Sequence, residues 1–311
     1  MNKMNAKSRM YVCLVCHTEP DVWDGGFCSI DNILPQFVEM IATVSDNTGA
    51  TPRVAWCLTS QVARQRPEPF LHLLERGHEI GVHSHFPRCE SGKLEHEQNL
   101  NRDNLDDFQS WFPVLCSHIT GAGFPLPRTH ATWMFAYRDS MTKVLAETGI
   151  RVECSVCYGG AHHLSDGFLL ADSRRRVSGK PYRLAADDHC AEGDSPVVEL
   201  PVSGGFGDYW EPDKTGGFKH FDPILTDTGR DHQRALFQAR LDSLVSGEID
   251  IFHIHFHLYD FLPPDGTGHE RLQRAQSLLD SMTHDERVRF TTPSEAVEEW
   301  SENKGVANNS M

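Results

Sequence analysis

Gly77-His78-Glu79-Ile80-Gly81-Val82-His83-Ser84-His85-Phe86-Pro87 packs a helix stop, a strand and a strand mouth into eleven residues. Gly77 follows Leu73-Leu74-Glu75-Arg76, the end of an amphipathic run, and reads as the left-handed C-cap that glycine adopts without a Cβ penalty. Glu79–Val82 is a short apolar strand. Beyond it His83 and His85, two residues apart, project from one face of extended backbone. The same unit recurs along the chain. Strands are expected at Met10–Cys16, Arg53–Leu58, Glu79–Val82, Thr132–Phe135, Val152–Val156, Val197–Pro201, Asp250–His257 and Val288–Thr291. Helices are expected at Ser29–Ser45, Pro69–Arg76, Glu95–Ser117, Ser140–Thr148, Asp231–Ser246, Glu270–Ser281 and Ser294–Ser301, and Gly149 stops one of them as Gly77 does. Short apolar strands alternating with amphipathic helices predict an α/β fold, a parallel sheet covered by helices.

The 311 residues carry a formal charge of −15, which disfavours attraction to nucleic acid or to an anionic membrane surface. No apolar run approaches the ~20 residues that a membrane helix needs. The apolar segment Met10–Cys16 is also shorter than expected for an export signal, so a cytoplasmic protein is expected. Nine scattered cysteines, an odd number, fit free thiols better than a disulfide framework. The pairs Cys13/Cys16 and Cys154/Cys157 have zinc-ribbon spacing. Cys13 and Cys16, however, fall on opposite faces of a continuous strand, which suits buried small hydrophobes.

Chemistry concentrates at three strand ends, where an α/β barrel keeps its active site. His17-Thr18-Glu19-Pro20-Asp21 follows the first strand and places three titratable groups at i, i+2 and i+4. His83 and His85 can grip a single ion, a task that suits neutral imidazole and zinc-like metals. In Ile251-Phe252-His253-Ile254-His255-Phe256-His257-Leu258-Tyr259-Asp260 the imidazoles form a row, with His257 nearest the rim. One such histidine is more often a core residue than a ligand; three clusters at strand ends make the functional reading the better one.

The pattern resembles the polysaccharide deacetylase family, the NodB-homology carbohydrate esterases, over roughly residues 10 to 262. Gly77–His83 is similar to that family's second motif almost letter for letter. His17–Asp21 resembles a divergent first motif, Arg128-Thr129-His130-Ala131-Thr132-Trp133-Met134 the third, Val198-Glu199-Leu200-Pro201 the fourth and His257–Asp260 the last. The resemblance implies a distorted (β/α) barrel of about seven strands. It implies that Glu19, His83 and His85 hold a divalent metal, zinc first, with cobalt or nickel as alternatives. It makes His257 the general acid. His17 stands where the family has an aspartate base, and either does that work or joins the metal shell; Asp21 completes the catalytic set. His130 stands where the family often has an arginine that orients the base. With Trp133, Tyr209, Trp210 and Asp260 it forms the expected substrate-contacting set.

The expected organisation is one barrel domain at 10–302 with a loop-rich insertion at about 159–229, between flexible tails at 1–9 and 303–311. The expected activity is metal-dependent removal of N-acetyl or N-formyl from an amino sugar or a sugar-containing precursor. The alternatives are a non-catalytic carbohydrate-binding protein and a metal-free hydrolase of cyclic amides of the allantoinase type.

Overall fold

Strand β1 (Arg9–Thr18) is buried on both faces along nearly its whole length, as a parallel strand covered by helices must be. The computed structural model describes residues 8–23, 25–90, 93–95, 107–163, 168–176, 178–207, 209–212, 218–262 and 268–308. The other strands of the main sheet are β2 (Val54–Leu58), β3 (Glu79–Ser84), β4 (Thr129–Thr132), β5 (Val152–Glu153), β6 (Tyr182–Arg183), β7 (Val198–Glu199), β8 (Val202–Gly205), β9 (Ile249–Phe256) and β10 (Val288–Phe290). Their order is β6-β7-β5-β4-β3-β2-β1-β9-β8, with β10 paired to the first half of β1. Every pairing is parallel except β6 with β7.

That order closes the sheet. β7 pairs with β5 near one edge and β8 pairs with β9 at the other, yet only Leu200 and Pro201 separate β7 from β8 in the chain. Two residues cannot span an open sheet, so the sheet curls until its edges meet. The Leu200 N–H donates to the Glu153 carbonyl and the Val202 N–H to that of Val156 across the seam. With β7 and β8 counted as one stave, β1, β2, β3, β4, β5, β7/β8 and β9 make a distorted barrel of seven staves. The segment expected as a loop-rich insertion at 159–229 therefore supplies the stave that closes it.

Helices α1 (Leu34–Ala42), α2 (Ser60–Gln65), α3 (Pro67–Glu75), α4 (Phe108–Gly121), α5 (Met141–Glu147), α6 (Asp227–Asp242), α7 (Gly268–Met282) and α8 (Pro293–Asn308) accompany the strands. Strand alternation sorts the side chains. Met10, Val12, Leu14 and Cys16 pack outward with Phe37, Trp56, Phe70 and Phe256 in the core under the helices. Tyr11, Cys13 and Val15 point inward with Ala55, Cys57, Ala131, Cys154 and Ile251. Ala296, Val297 and Trp300 of α8 join this inner cluster. Arg53 pairs with Glu295 and Arg9 with Glu299, fastening α8 to strands on either side. Cys13 and Cys16 are free and buried on opposite faces, as their place on a continuous strand requires.

Gly81 marks the tightest point of the inner packing. A Cβ there would lie 2.7 Å from Cys57 Sγ and 2.8 Å from the Thr129 carbonyl oxygen, and the second atom is backbone that cannot rotate away. Gly81→Ala is expected to cost about 1–3 kcal/mol through overpacking, measured as a lower midpoint in denaturant.

Four local expectations need correction. The strand expected over Thr132–Phe135 ends at Thr132, and Trp133–Phe135 is a 3-10 turn in which Met134 and Phe135 take positive φ of 46° and 55°. The helix expected over Glu95–Ser117 is α4, Phe108–Gly121, preceded by a hairpin of Arg88–Glu90 and Lys93–Glu95; residues 96–106 lie outside the described set. The helix expected at Ser29–Ser45 starts as a π turn, Ser29–Ile33, and ends at Ala42. Helix α8 continues to Asn308, so residues 303–308 are helical rather than a tail.

Candidate active site

Parallel register brings the histidines together. β1 pairs with β9 so that Cys13 lies opposite His253 and Val15 opposite His255. Two residues further along, at the open mouth, His17 and His257 come side by side, with ring centroids 5.2 Å apart and edge to face. On the other flank of β1, β2 and then β3 carry His83 into the same space. Its ring stacks on His17 at 4.6 Å. Exposure rises along the β9 row from His253 and His255, both buried, to His257 at 19% of its side chain.

Glu19 sits at the centre of this cluster, and its two carboxylate oxygens face different partners. Oε2 lies 2.6 Å from His85 Nε2 and 4.0 Å from His83 Nε2. Oε1 accepts a 2.9 Å hydrogen bond from the Tyr259 hydroxyl and lies 3.5 Å from His257 Nε2. Burial alone would raise the Glu19 pKa, but the charge of His85 beside it, then His83 and His257, hold it well below the usual carboxylate range.

The ligand atoms of Glu19, His83 and His85 lie within 4.8 Å of one another, and all three residues are buried. His83 Nδ1 donates to the Ala131 carbonyl at 3.1 Å, which fixes the tautomer and leaves the Nε2 lone pair facing the cluster. His83 Nε2 has no hydrogen-bond partner despite its burial. An orphaned imidazole nitrogen, oriented from behind by a backbone carbonyl and facing a carboxylate and a second imidazole, fits a divalent cation such as zinc. The structure thus brings together the three residues expected as ligands, Glu19, His83 and His85.

The remaining expected residues fall into two groups. His17 belongs to the cluster: its ring is buried, its Nε2 has no hydrogen-bond partner, and burial followed by the neighbouring histidines pushes its pKa well down, favouring the neutral base. His257 caps the turn Leu258–Phe261. Its side chain accepts the Asp260 backbone N–H while the Asp260 carboxylate accepts the His257 backbone N–H at 2.8 Å. Nδ1 is the nitrogen on the Asp260 side, 3.8 Å from its carboxylate, and Nε2 faces Glu19. Trp133 stands at the mouth, its ring 6.1 Å from that of His85.

Three residues are placed otherwise than expected. His130 lies on β4 next to Ala131, and Ala131 is the inward residue, so His130 points out of the barrel. Its ring bonds to Ser84 Oγ at 2.8 Å and to Glu153, beside Phe108 and Phe112, and burial pushes its pKa down to about 3. It does not face the cavity, and the expectation that it contacts substrate is corrected. Asp260 turns back to His257, its carboxylate accepting that residue's backbone N–H, rather than towards a substrate. Asp21 is buried and its carboxylate accepts the Ser29 N–H, while its backbone bonds to Gly25 and Gly26; it builds the loop after β1. The side chains of Tyr209 and Trp210 lie outside the described residues, and their backbone forms a hairpin with Phe218–Phe221.

Two features of the site went unread in the sequence. Phe135 walls the cavity, its ring 5.6 Å from His17 and 5.0 Å from His255, and the positive φ of the turn aims it there. His162 secures that turn by donating from Nδ1 to the Met134 carbonyl. Gly205 lets His255 lie flat on the neighbouring strand, where a Cβ would meet the imidazole at 2.9 Å. Away from the cluster, Ser173, His189 and Asp139 are linked at 3.3 and 2.5 Å in the order of a hydrolase triad. Ser173 is only 4% exposed, and the space it lines with Phe135 and Cys157 has no room for a water molecule, so this group anchors a loop.

The closed seven-stave barrel is a fold that this chain shares with solved structures. Among solved structures, the chain superposes on a protein assigned as a polysaccharide deacetylase from Pseudomonas aeruginosa PAO1 with a TM-score of 0.55 and 9% identity, covering 94% of this chain and 91% of that one. A second protein assigned as a polysaccharide deacetylase, from Mycobacterium smegmatis, gives 0.52 at 17% identity over 94% and 91% of the two chains. The 4-alpha-glucanotransferase of Thermococcus litoralis gives 0.53 at 16% identity over 94% of this chain but 40% of that one. Identities this low establish the fold alone. No protein-family model and no curated protein matches the sequence. Among the described residues, no helix is long and apolar enough to cross a membrane.

Proposed function

We propose that the chain is a metal-dependent amide hydrolase that removes an N-acetyl or N-formyl group from an amino sugar or a sugar-containing precursor. The observation that carries this reading is the convergence of Glu19, His83 and His85 from two strand mouths, with a buried His83 nitrogen left without a partner. Glu19, His83 and His85 would hold the ion, zinc first and cobalt or nickel next. When bound, such an ion polarises a carbonyl and lowers the pKa of water towards ~7.

The chain's own groups supply the rest. His17, kept neutral by burial, accepts the proton of the attacking water at Nε2. His257, in its protonated form, delivers an Nε2 proton to the departing nitrogen as the C–N bond breaks, so that a carboxylic acid and a free amine leave; His17 then releases to solvent the proton it took and His257 regains one, restoring both rings. Asp260 holds the His257 segment from the other side, its carboxylate on the His257 backbone N–H, so that Nε2 faces the cluster. Phe135 packs against the His17 and His255 rings and holds them in place. Trp133 offers a ring face to a sugar beside His85, a contact suited to the apolar face of a pyranose.

The purified chain is expected to release acetate from N-acetylated amino sugars, to stop when treated with a chelator, and to resume on addition of zinc, cobalt or nickel. Sugar affinity that survives chelation, with no acyl release from any acetamido sugar, would overturn the hydrolase in favour of a binding protein. Turnover of a cyclic amide by metal-free protein would overturn it in favour of the allantoinase type.

A further inference from the structure

Glu19 is held from behind as well as from in front. Its Oε2 faces the His83 and His85 nitrogens, whereas its Oε1 accepts the Tyr259 hydroxyl at 2.9 Å. Tyr259 is itself fixed on two sides. Its ring stacks on His257 with centroids 4.6 Å apart and planes 14° from parallel, and Trp23 meets it edge-on at 5.8 Å. The tyrosine thus bridges the two halves of the site, the carboxylate just after β1 and the imidazole after β9. A carboxylate free to rotate about its last torsion has no preferred oxygen; one whose far oxygen is bonded presents the other in a set direction. Hydrogen-bond partners behind a ligand fix its orientation and raise metal affinity.

We propose that Tyr259 is a positioning residue for metal loading: its hydroxyl turns the Glu19 carboxylate so that Oε2 meets the ion together with His83 and His85, and its ring keeps His257 beside that carboxylate. The inference rests on the metal-dependent reading above, and its test separates the two. Metal-stripped protein is titrated with zinc in competition with a chromophoric chelator. Tyr259→Phe keeps the ring against His257 and Trp23 and removes only the hydroxyl, so the metal-free melting temperature is expected to stay as in wild type while zinc affinity falls by about 10–100-fold. In a Glu19→Ala background, where His83 and His85 alone retain weak binding, the same change is expected to alter affinity by less than about twofold, because the group it orients is gone. Equal zinc affinity in wild type and Tyr259→Phe would overturn the role of Tyr259 and leave the metal site standing. An equal loss in the Glu19→Ala background would assign the effect to packing and overturn it too. Wild-type protein that binds no zinc would remove the metal reading itself.

Discussion

Glu19→Ala and His83→Ala are each expected to lose bound metal and acyl-release activity together, both by at least about 100-fold, more than changes to groups behind a metal ligand cost. The two residues reach the cluster from different strands, β1 and β3, and share no backbone contact that one substitution would carry to the other. A parallel loss therefore reports the ion they share. The readout that separates this from misfolding is thermal. Zinc is expected to raise the melting temperature of the wild type, because a ligand that binds only the folded state stabilises it, by about 2.7 kcal/mol at a hundredfold excess over Kd. In either variant the same zinc concentration is expected to raise the melting temperature far less than in wild type, in proportion to the weakened affinity, while the metal-free proteins still melt cooperatively. A variant that keeps stoichiometric zinc would remove that residue from the ligand set.

His257→Ala is expected to divide the two properties that Glu19→Ala loses together. Its imidazole touches Glu19 at 3.5 Å but lies outside the three-residue ligand group, so metal content and zinc-induced stabilisation are expected to persist. The rate is expected to fall by about 10²–10⁴, the range for removing a general acid. Part of the change will be structural, because the ring accepts the Asp260 N–H that opens the turn Leu258–Phe261. His257→Gln retains an acceptor for that N–H but has no titratable proton, and it is expected to be as slow as His257→Ala. A His257→Gln enzyme near the wild-type rate would show that the ring serves the turn and not the reaction.

The sequence carried the ligand cluster because strand periodicity and strand polarity are both readable in one dimension. His17, Glu19, His83, His85 and His257 all follow apolar runs, and a parallel barrel must gather such ends on one rim. The helix stops at Gly77 and Gly149 were legible for the same local reason, and both glycines have positive φ, 84° and 94°. What escaped depended on register and on turns. His130 reads as a site residue beside Trp133, but the register that pairs Ala131 with His83 sends its neighbour's side chain outward. Trp133-Met134-Phe135 has strand-forming side chains, yet the chain turns there and aims Phe135 at His17 and His255. The role of Tyr259 is not legible in the sequence, because only the short turn after β9 brings its hydroxyl back to a carboxylate 240 residues earlier. Helix α8 runs past the expected Ser301 although Gly305 and the asparagines near it are weak helix formers; its inner residues pack beneath the barrel.

The central claim is that side chains from separate strand mouths hold one ion. Anomalous diffraction from crystals of zinc-loaded protein, recorded on both sides of the zinc absorption edge, tests it directly. One strong anomalous peak per chain is expected, in contact with Glu19, His83 and His85. Zinc-loaded crystals with no peak among those three residues, or with the peak elsewhere in the chain, would contradict it.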